Sequence, residues 1–179
     1  MKKRRILIVG GVAGGASCAA RARRLSETAE IIMFDRGEYV SFANCGLPYY
    51  VGNVIKKEEN LLVATPELFR ERFEIEVRLH SEVLAIDREH RRIQVKDYKT
   101  GKTYQESYDA LVLAPGASPI KPSMPGIDLP GIFSLRTIPD SRQIKSRIAE
   151  LNATRAVVVA IFAIIFADGI ITTADTLLR

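Results

Sequence analysis

The amino-terminal part of the chain alternates short apolar runs with small and polar residues. Ile6 to Val9 form a continuous apolar run, which is typical of a strand buried on both faces. A glycine-rich stretch at residues 10–15 follows, and the alanine- and arginine-rich stretch from Ala16 to Leu25 then favours a helix. Ile31 to Phe34 form a second apolar run. This order of strand, turn, helix and strand predicts the opening of a parallel, doubly wound α/β sheet.

The pattern changes in the middle of the chain. Three short stretches, Val83–Asp87, Ile93–Lys96 and Thr103–Tyr108, are separated by polar turns. Such spacing predicts a small antiparallel meander inserted into the α/β unit. Leu111 to Ala114 is then expected to return to the parallel sheet as a buried strand.

The last third of the chain begins with a proline-rich segment. Residues 115–130 contain five of the eight prolines and predict a crossing linker. Asp140 is expected to cap a helix that runs to about residue 151, and Ala156–Val159 is expected to form the next buried strand. The twelve apolar residues Ala156–Ala167 are fewer than the roughly 20 that a membrane-spanning helix needs. No membrane span is therefore predicted.

Composition and charge narrow the function classes. The chain has 26 Lys and Arg against 21 Asp and Glu, a net charge of +5, which suits anionic ligands. Nucleic acid is not an expected partner, because the basic residues are spread out and no aromatic residues interleave with them. Cys18 and Cys45 are too few for a disulfide framework, which indicates a reducing cytoplasm. The first apolar run stops at Gly10, which is too early for a secretory signal.

The glycine-rich stretch has the pattern of a phosphate-binding turn. Gly10 and Gly15 occupy the outer positions of a G-x-G-x-x-G motif, and Val12 stands at the middle one. Backbone N–H groups at the start of a helix attract anions, and small residues admit a pyrophosphate. Asp35 lies 25 residues beyond Gly10, where an acid can accept a hydrogen bond from a ribose hydroxyl. A dinucleotide site is favoured over a turn that binds no ligand.

Cys45 is the candidate reactive residue. It precedes Gly46-Leu47-Pro48, and Pro48 suits the first turn of a short helix. A helix amino terminus stabilises a thiolate, which favours a nucleophile or redox centre. The alternative is a small buried core residue. Cys18 lies within the predicted first helix and is interpreted as a packing residue, although the sequence leaves a Cys18–Cys45 disulfide open.

The remaining polar residues give weaker signals. Arg21 and Arg24 are three residues apart and share a helix face, which is either a solvated surface or a site for a phosphate-bearing substrate. His80 and His90 have no neighbouring residues at metal-ligand spacing, so no metal site is predicted.

Three motifs together resemble the pyridine nucleotide–disulfide oxidoreductases, specifically their coenzyme A-disulfide reductase and NADH oxidase branch. The motifs are Val9–Gly15 (VGGVAGG), Ser41–Tyr49 (SFANCGLPY) and Leu113–Pro119 (LAPGASP). The resemblance implies a Rossmann-like FAD-binding domain. It also implies that Cys45 is the only redox thiol, because Tyr50 stands where two-cysteine reductases have their second cysteine. A solitary thiol must work through a mixed disulfide, a persulfide or a sulfenic acid.

The resemblance assigns ligands to named residues. Those implied for FAD are Gly10, Gly11, Val12, Ala13, Gly14, Gly15, Asp35, Arg36, Asn44, Val83, Ala114, Pro115 and Gly116. Those implied for coenzyme A disulfide or persulfide are Ser17, Arg21, Arg24, Ser41 and Asn44. In the implied mechanism, hydride passes from NAD(P)H to the flavin, and electrons then reduce a mixed disulfide between Cys45 and coenzyme A.

The chain departs from this family after Val159. The family continues with a second glycine-rich turn for NAD(P)H, whereas residues 160–167 contain no glycine. The family is also more than twice as long, and its remainder carries the NAD(P)H domain, a returning flavin-binding segment and a homodimerisation domain. The expected organisation is an FAD-binding domain at 1–118, a linker and helix at 119–155, and an apolar tail at 156–179 that replaces the start of a second Rossmann-like domain. Two alternatives are a flavin-binding module without a complete catalytic cycle and an NADH oxidase that uses a Cys45 sulfenic acid.

Overall fold

The computed structural model describes residues 3–166 and 169–175. Residues 1, 2, 167, 168 and 176–179, which belong to the predicted ranges 1–118 and 156–179, lie outside the described residues. The strands are β1 Arg5–Val9, β2 Glu30–Phe34, β3 Ile75–Arg78, β4 Ser81–Asp87, β5 Arg92–Asp97, β6 Thr103–Ser107, β7 Ala110–Leu113, β8 Ala160–Phe166 and β9 Gly169–Asp175. The α-helices are α1 Gly14–Leu25, α2 Leu47–Val51, α3 Pro66–Phe73 and α4 Ile138–Leu151, and 3₁₀ helices span Asn44–Gly46 and Glu58–Leu61.

Two sheets form the body of the fold. A parallel four-stranded sheet has the order β3-β2-β1-β7, and an antiparallel three-stranded sheet has the order β4-β5-β6. The prediction of a parallel α/β sheet with an inserted antiparallel meander is confirmed. Strand β3, which lies at one edge of the parallel sheet, was not predicted because its sequence, Ile-Glu-Val-Arg, is too short and polar to stand out.

The parallel sheet buries both faces, which explains its continuous apolar strands. Leu7, Ile32 and Phe34 point to the meander and pack with Ile93 and Val95. The next residues along each strand point the other way. Their cluster, on the helix side, comprises Ile8, Ile31, Met33 and Ile75 together with Ala16 and Ala19 of α1 and Phe69 of α3. The result is a meander, a sheet and a helix layer, with the carboxyl ends of β1, β2 and β7 at one edge.

Arg78 ties the meander to the parallel sheet. Its guanidinium lies 5.4 Å from the Phe34 ring centroid and 5.7 Å from that of Tyr104. It also contacts Glu106 at 2.5 Å and Glu76 at 2.6 Å. Burial lowers the pKa of Arg78, but the hydrogen bonds that Arg78 donates to these carboxylates outweigh this effect, and the net pKa is raised. The guanidinium therefore stays charged in a half-buried position.

Two predictions near the end of the chain were wrong. Thr137, not Asp140, is the N-cap of α4. Asp140 sits three residues into the helix, where it accepts the Thr137 N–H at 2.8 Å while the Thr137 hydroxyl accepts the Asp140 N–H at 3.3 Å, a capping box. Ala156–Val159 forms no strand and is exposed. The strand begins instead at Ala160, where β8 pairs antiparallel with β9.

Candidate functional site

The glycine turn lies between the carboxyl ends of β1 and β7. Gly10 has a φ of +94°, and a Cβ added there would lie 2.0 Å from the carbonyl oxygen of Ala114. A Cβ on Gly15 would lie 1.7 Å from the carbonyl oxygen of Gly10. Neither position can carry a side chain, because the turn, α1 and the end of β7 are too close together. These contacts explain why glycine occupies both outer positions of the motif.

The first turn of α1 is open to a ligand. The helix begins at Gly14, and its first turn carries no acidic residue. A Cβ on Gly14 would meet only the Ala114 Cβ, at 3.6 Å, so this side of the turn is not filled by protein. The first N–H groups of a helix have no partner within the helix and carry its positive dipole end. An anion such as a pyrophosphate fits this position.

Asp35 supports the glycine turn from the end of β2. Its carboxylate accepts the N–H of Gly11 at 2.8 Å through Oδ2 and the N–H of Gly37 at 2.8 Å through Oδ1. A carboxylate has about four acceptor sites, so each oxygen can still accept a ribose hydroxyl. Arg36 is exposed, with its Nη1 3.7 Å from Glu82 of β4.

The other residues predicted for the cofactor lie on the same edge or behind it. Ala114 is half-buried against Gly10, whereas Pro115 and Gly116 are exposed. Val83 is half-buried and packs between the meander and the sheet. Val12 is half-buried, and Ala13 is exposed immediately before α1. The structure thus gathers the glycine turn, Asp35 and Ala114 at one place, whereas the half-buried Val83 side chain packs against the cluster between the meander and the sheet.

The segment that carries Cys45 is attached to the glycine turn. The buried residue Ser41 donates its backbone N–H to the Gly11 carbonyl at 2.9 Å. Val40 packs against the same glycine, since a Cβ on Gly11 would lie 2.8 Å from the Val40 Cγ2. Cys45 lies four residues after Ser41. The candidate thiol and the candidate phosphate turn are therefore parts of one structural unit.

Cys45 is exposed and forms no disulfide. It lies in the middle of the 3₁₀ helix Asn44–Gly46, which leads directly into α2. Pro48 stands in the first turn of α2, as predicted. Exposure excludes the alternative that Cys45 is a core residue. Cys18 is half-buried on α1 and is also a free thiol, in agreement with a packing role.

Asn44 holds an unsatisfied acceptor beside this thiol. Within residues 3–166 and 169–175, its side-chain oxygen Oδ1 is buried and has no hydrogen-bond partner. Buried polar atoms are nearly always paired, so this oxygen is suited to a donor group on a ligand.

The arginines of α1 divide into two kinds. Arg23, which no sequence motif marks, donates to the carbonyl oxygens of Phe73, Glu74, Ser26 and Glu27 at 2.7–3.1 Å. Arg21 and Arg24 are exposed, and in the described part of the chain their side chains make no hydrogen bond or ion pair. Ser17 is exposed one helical turn before Arg21. These three side chains are accessible to a solvent-borne anion.

A cluster around Arg142 was also missed. Arg142 of α4 forms ion pairs with Glu58 at 2.6 Å and with Glu38 at 3.0 Å, and it hydrogen-bonds the hydroxyl of Tyr39. Arg142 and Glu58 are 84 residues apart, so no local pattern could have paired them. The hydrogen bond from Arg142 is the main cause that lowers the pKa of Glu58.

The described residues contain neither a metal-binding cluster nor a membrane-spanning helix. No group of three or more His, Cys, Asp or Glu side chains there is arranged to hold a metal ion. Among those same residues, no helix has both the length and the apolar character needed to span a bilayer.

Comparisons with known proteins agree with this geometry. The family model for pyridine nucleotide-disulphide oxidoreductases matches residues 4–160. The coenzyme A disulfide reductase of Staphylococcus haemolyticus is 40% identical over 156 residues, which are 87% of this chain and 35% of that protein. The chain thus spans about a third of the length of this curated relative.

Solved structures give the same result. The crystal structure of reduced CoADR-RHD from Bacillus anthracis has a TM-score of 0.82 at 54% identity, covering 85% of this chain and 28% of that one. The NAD-dependent persulfide reductase from A. fulgidus has a TM-score of 0.77 at 32% identity, covering 82% of this chain and 27% of that one. This chain therefore belongs to the pyridine nucleotide-disulphide oxidoreductase family, a family of oxidoreductases.

Proposed function

We propose that this chain is the flavin-binding, thiol-bearing part of a coenzyme A-disulfide reductase. The observation that carries the proposal is the attachment of an exposed Cys45 segment to the glycine turn through Ser41 and Gly11. Such an arrangement suits a protein in which a redox cofactor and a reactive thiol must meet. The likeness to coenzyme A disulfide reductases supports the choice of chemistry.

The residues at the glycine turn fit FAD. The α1 amino terminus would hold the pyrophosphate, since Gly14 leaves room and no acid opposes the charge. Asp35 would accept a ribose hydroxyl while it keeps its two backbone donors. Arg36, Asn44, Val83 and the 114–116 turn are proposed to complete the cofactor site. When bound, FAD would supply the electron pair that reduces a Cys45 mixed disulfide, with NAD(P)H as its source in the complete enzyme.

Cys45 is proposed as the nucleophile. Its thiolate would attack one sulfur of coenzyme A disulfide, forming a Cys45–coenzyme A disulfide and releasing one coenzyme A thiolate, which takes its proton from water. An electron pair then cleaves the mixed disulfide into the Cys45 thiolate and a second coenzyme A thiolate. Tyr50, at the position of a second cysteine in two-cysteine enzymes, cannot resolve the mixed disulfide. The intermediate therefore persists until electrons arrive.

The substrate would be held by polar residues of α1 and of the segment that carries Cys45. Arg21 and Arg24 offer unpaired positive charge in the described structure, which suits the phosphates of coenzyme A. Ser17, Ser41 and Asn44 are proposed to add hydrogen bonds, with the buried Asn44 Oδ1 accepting from the ligand. Two free cysteines and the absence of any disulfide in the described residues suit a reducing cytoplasm.

A coenzyme A persulfide is the second candidate substrate, supported by the likeness to an NAD-dependent persulfide reductase. Attack of Cys45 on the inner sulfur would give the same mixed disulfide and release hydrosulfide instead of a thiol. The first product released therefore distinguishes the two substrates.

The test is a stoichiometric half-reaction that needs no NAD(P)H. The purified protein is reconstituted with FAD and mixed with coenzyme A disulfide, and intact mass and released thiol are measured. We expect one coenzyme A bound per chain and one released. Cys45→Ser should abolish both and keep FAD binding, and Cys18→Ser is the matched control that should change neither.

Labelling of the Cys45→Ser protein, or labelling that requires Cys18, would contradict the proposal. Protein that binds no FAD under any reconstitution condition would do the same. Oxygen consumption after chemical reduction of the bound FAD, with the peroxide so formed oxidising Cys45 to a sulfenic acid, and no reaction with coenzyme A disulfide, would favour an oxidase.

A further inference from the structure

The guanidinium of Arg142 joins two separate loops. Its Nε and Nη2 donate to the two carboxylate oxygens of Glu58 at 2.7 Å and 2.6 Å. Its Nη1 donates to Glu38 at 3.0 Å, and the group lies 5.4 Å from the centroid of the Tyr39 ring. The forked shape of a guanidinium allows one side chain to bind both carboxylates in fixed directions.

The Glu58 end of this cluster leads to the thiol. Glu58 opens the 3₁₀ helix that ends at Leu61, and the Leu61 carbonyl accepts the N–H of Ala43 at 2.8 Å. The Leu61 side chain also presses on Gly46, where an added Cβ would lie 2.9 Å from its Cδ2. Leu61 therefore contacts the chain on both sides of Cys45.

The Glu38 end of the cluster leads to Asp35, the carboxylate proposed to bind the ribose of the cofactor. Glu38 directly follows Gly37, whose N–H donates to Asp35 Oδ1 at 2.8 Å. The other oxygen of Asp35 holds Gly11 in the glycine turn. Restraint of Glu38 thus restrains the loop that orients Asp35.

We infer that Arg142 is a positioning residue that fixes the Cys45 turn and the Asp35 loop relative to one another. This inference rests on the proposed function, in which the thiol and the cofactor must keep a fixed relative position. It assigns the maintenance of that position to one arginine. Glu58 has a lowered pKa, chiefly through its hydrogen bond from Arg142, so the pair is charged at neutral pH. Arg142 itself would touch neither substrate nor cofactor.

Helix α4 offers a matched control. Arg147 lies on the same helix, and among the described residues it pairs only with Glu150, at 3.3 Å along that helix. Arg147→Ala removes a charge and an ion pair from α4 without touching either loop. It should therefore leave every local readout unchanged.

The experiment compares Arg142→Ala, Glu58→Gln, Glu38→Gln and Arg147→Ala in the full chain. Amide hydrogen exchange is followed at Ala43 and Gly37, together with the FAD dissociation constant and the rate of Cys45 reaction with coenzyme A disulfide. Glu58→Gln should raise exchange at Ala43 and slow the reaction of the thiol by about two- to fivefold, in keeping with the small contribution of a partly exposed ion pair. Glu38→Gln should raise exchange at Gly37 and weaken FAD binding by a similar factor, and Arg142→Ala should do both.

Two results would overturn the inference. The first is an increase of exchange in β1 and β2 that is as large in Arg142→Ala as the increase at Ala43 and Gly37, which marks global destabilisation. The second is opposite effects of Arg142→Ala and Glu58→Gln on the thiol rate, since the two substitutions change the local charge in opposite directions. The exchange readout needs neither FAD nor substrate, so a failed function proposal leaves this test intact.

Discussion

The backbone N–H of Ser41 donates a hydrogen bond of 2.9 Å to the carbonyl oxygen of Gly11. Ser41 adopts a left-handed conformation with a φ of +49°, and its own carbonyl accepts the N–H of Val63 at 2.8 Å. Ser41 is thus hydrogen-bonded to the glycine turn through its N–H and to Val63 through its carbonyl. The segment that leads to Cys45 therefore begins against the wall of the glycine turn.

Substitutions at Ser41 test this geometry. Ser41→Val should destabilise the fold by about 1–3 kcal/mol, because a β-branched residue is strained at positive φ. Ser41→Gly is the control, since glycine adopts this conformation freely. Urea unfolding measures both variants. Equal stabilities for Val and Gly would show that the left-handed conformation does not matter.

Alanine substitutions at two glycines of the turn are predicted to differ sharply in their effects on stability and on FAD binding. Gly10→Ala should destabilise the protein by about 3 kcal/mol or more and abolish FAD binding, since its Cβ would lie 2.0 Å from the Ala114 carbonyl oxygen. Gly14→Ala has ordinary contacts, with 3.6 Å to the nearest atom, and should change stability by less than about 1 kcal/mol. Thermal unfolding and flavin absorbance after reconstitution check both. A stable Gly10→Ala protein that binds FAD would contradict the placement of β7 beside the turn.

The arginines of α1 give a prediction that separates stability from binding. Arg23→Ala should cost about 2 kcal/mol of unfolding free energy, because it leaves carbonyl oxygens at the ends of α1 and α3 without donors. Arg21→Ala and Arg24→Ala should stay within about 0.5 kcal/mol of the parent. They should instead slow the reaction of Cys45 with coenzyme A disulfide, and more so at low salt. A slower reaction in Arg23→Ala alone would refute the proposed substrate face.

The sequence was sufficient for the elements whose signal is local. The run Ile6–Val9, the glycine turn and Asp35 lie within one strand-turn-helix-strand unit, and their spacing alone predicted the parallel sheet. The motif around Cys45 and Pro48 is equally local, and the predicted short helix is present. Features that depend on backbone conformation and close packing within one segment can be predicted from the sequence of that segment.

Contacts between distant segments could not be predicted. Arg142 meets Glu58 across 84 residues, and both lie in ordinary mixed polar stretches that no periodicity distinguishes. The apolar run at 156–159 misled for a related reason. A strand needs a neighbour, and the exposed valines there have none in the described structure, where β8 starts one residue later and pairs with β9.

The pair of Glu58 and Arg142 should give the fold a measurable acid dependence. The hydrogen bond from Arg142 lowers the pKa of Glu58 below its ordinary value of 4.5. The unfolded chain therefore binds the proton more readily, so the stabilisation is fully present above pH 4.5 and is lost as the pH falls through the lower folded value.

Glu58→Gln cannot titrate at this position, and the difference in urea midpoint between parent and variant should shrink on going from pH 7 to pH 3. The corresponding difference in unfolding free energy should amount to about 1 kcal/mol at most, because the pair is partly exposed. Glu67, Asp87 and Asp97 also have lowered pKa values, but they are present in both proteins and cancel in the comparison. A constant difference across this pH range would mean that the Glu58 carboxylate gains nothing from Arg142.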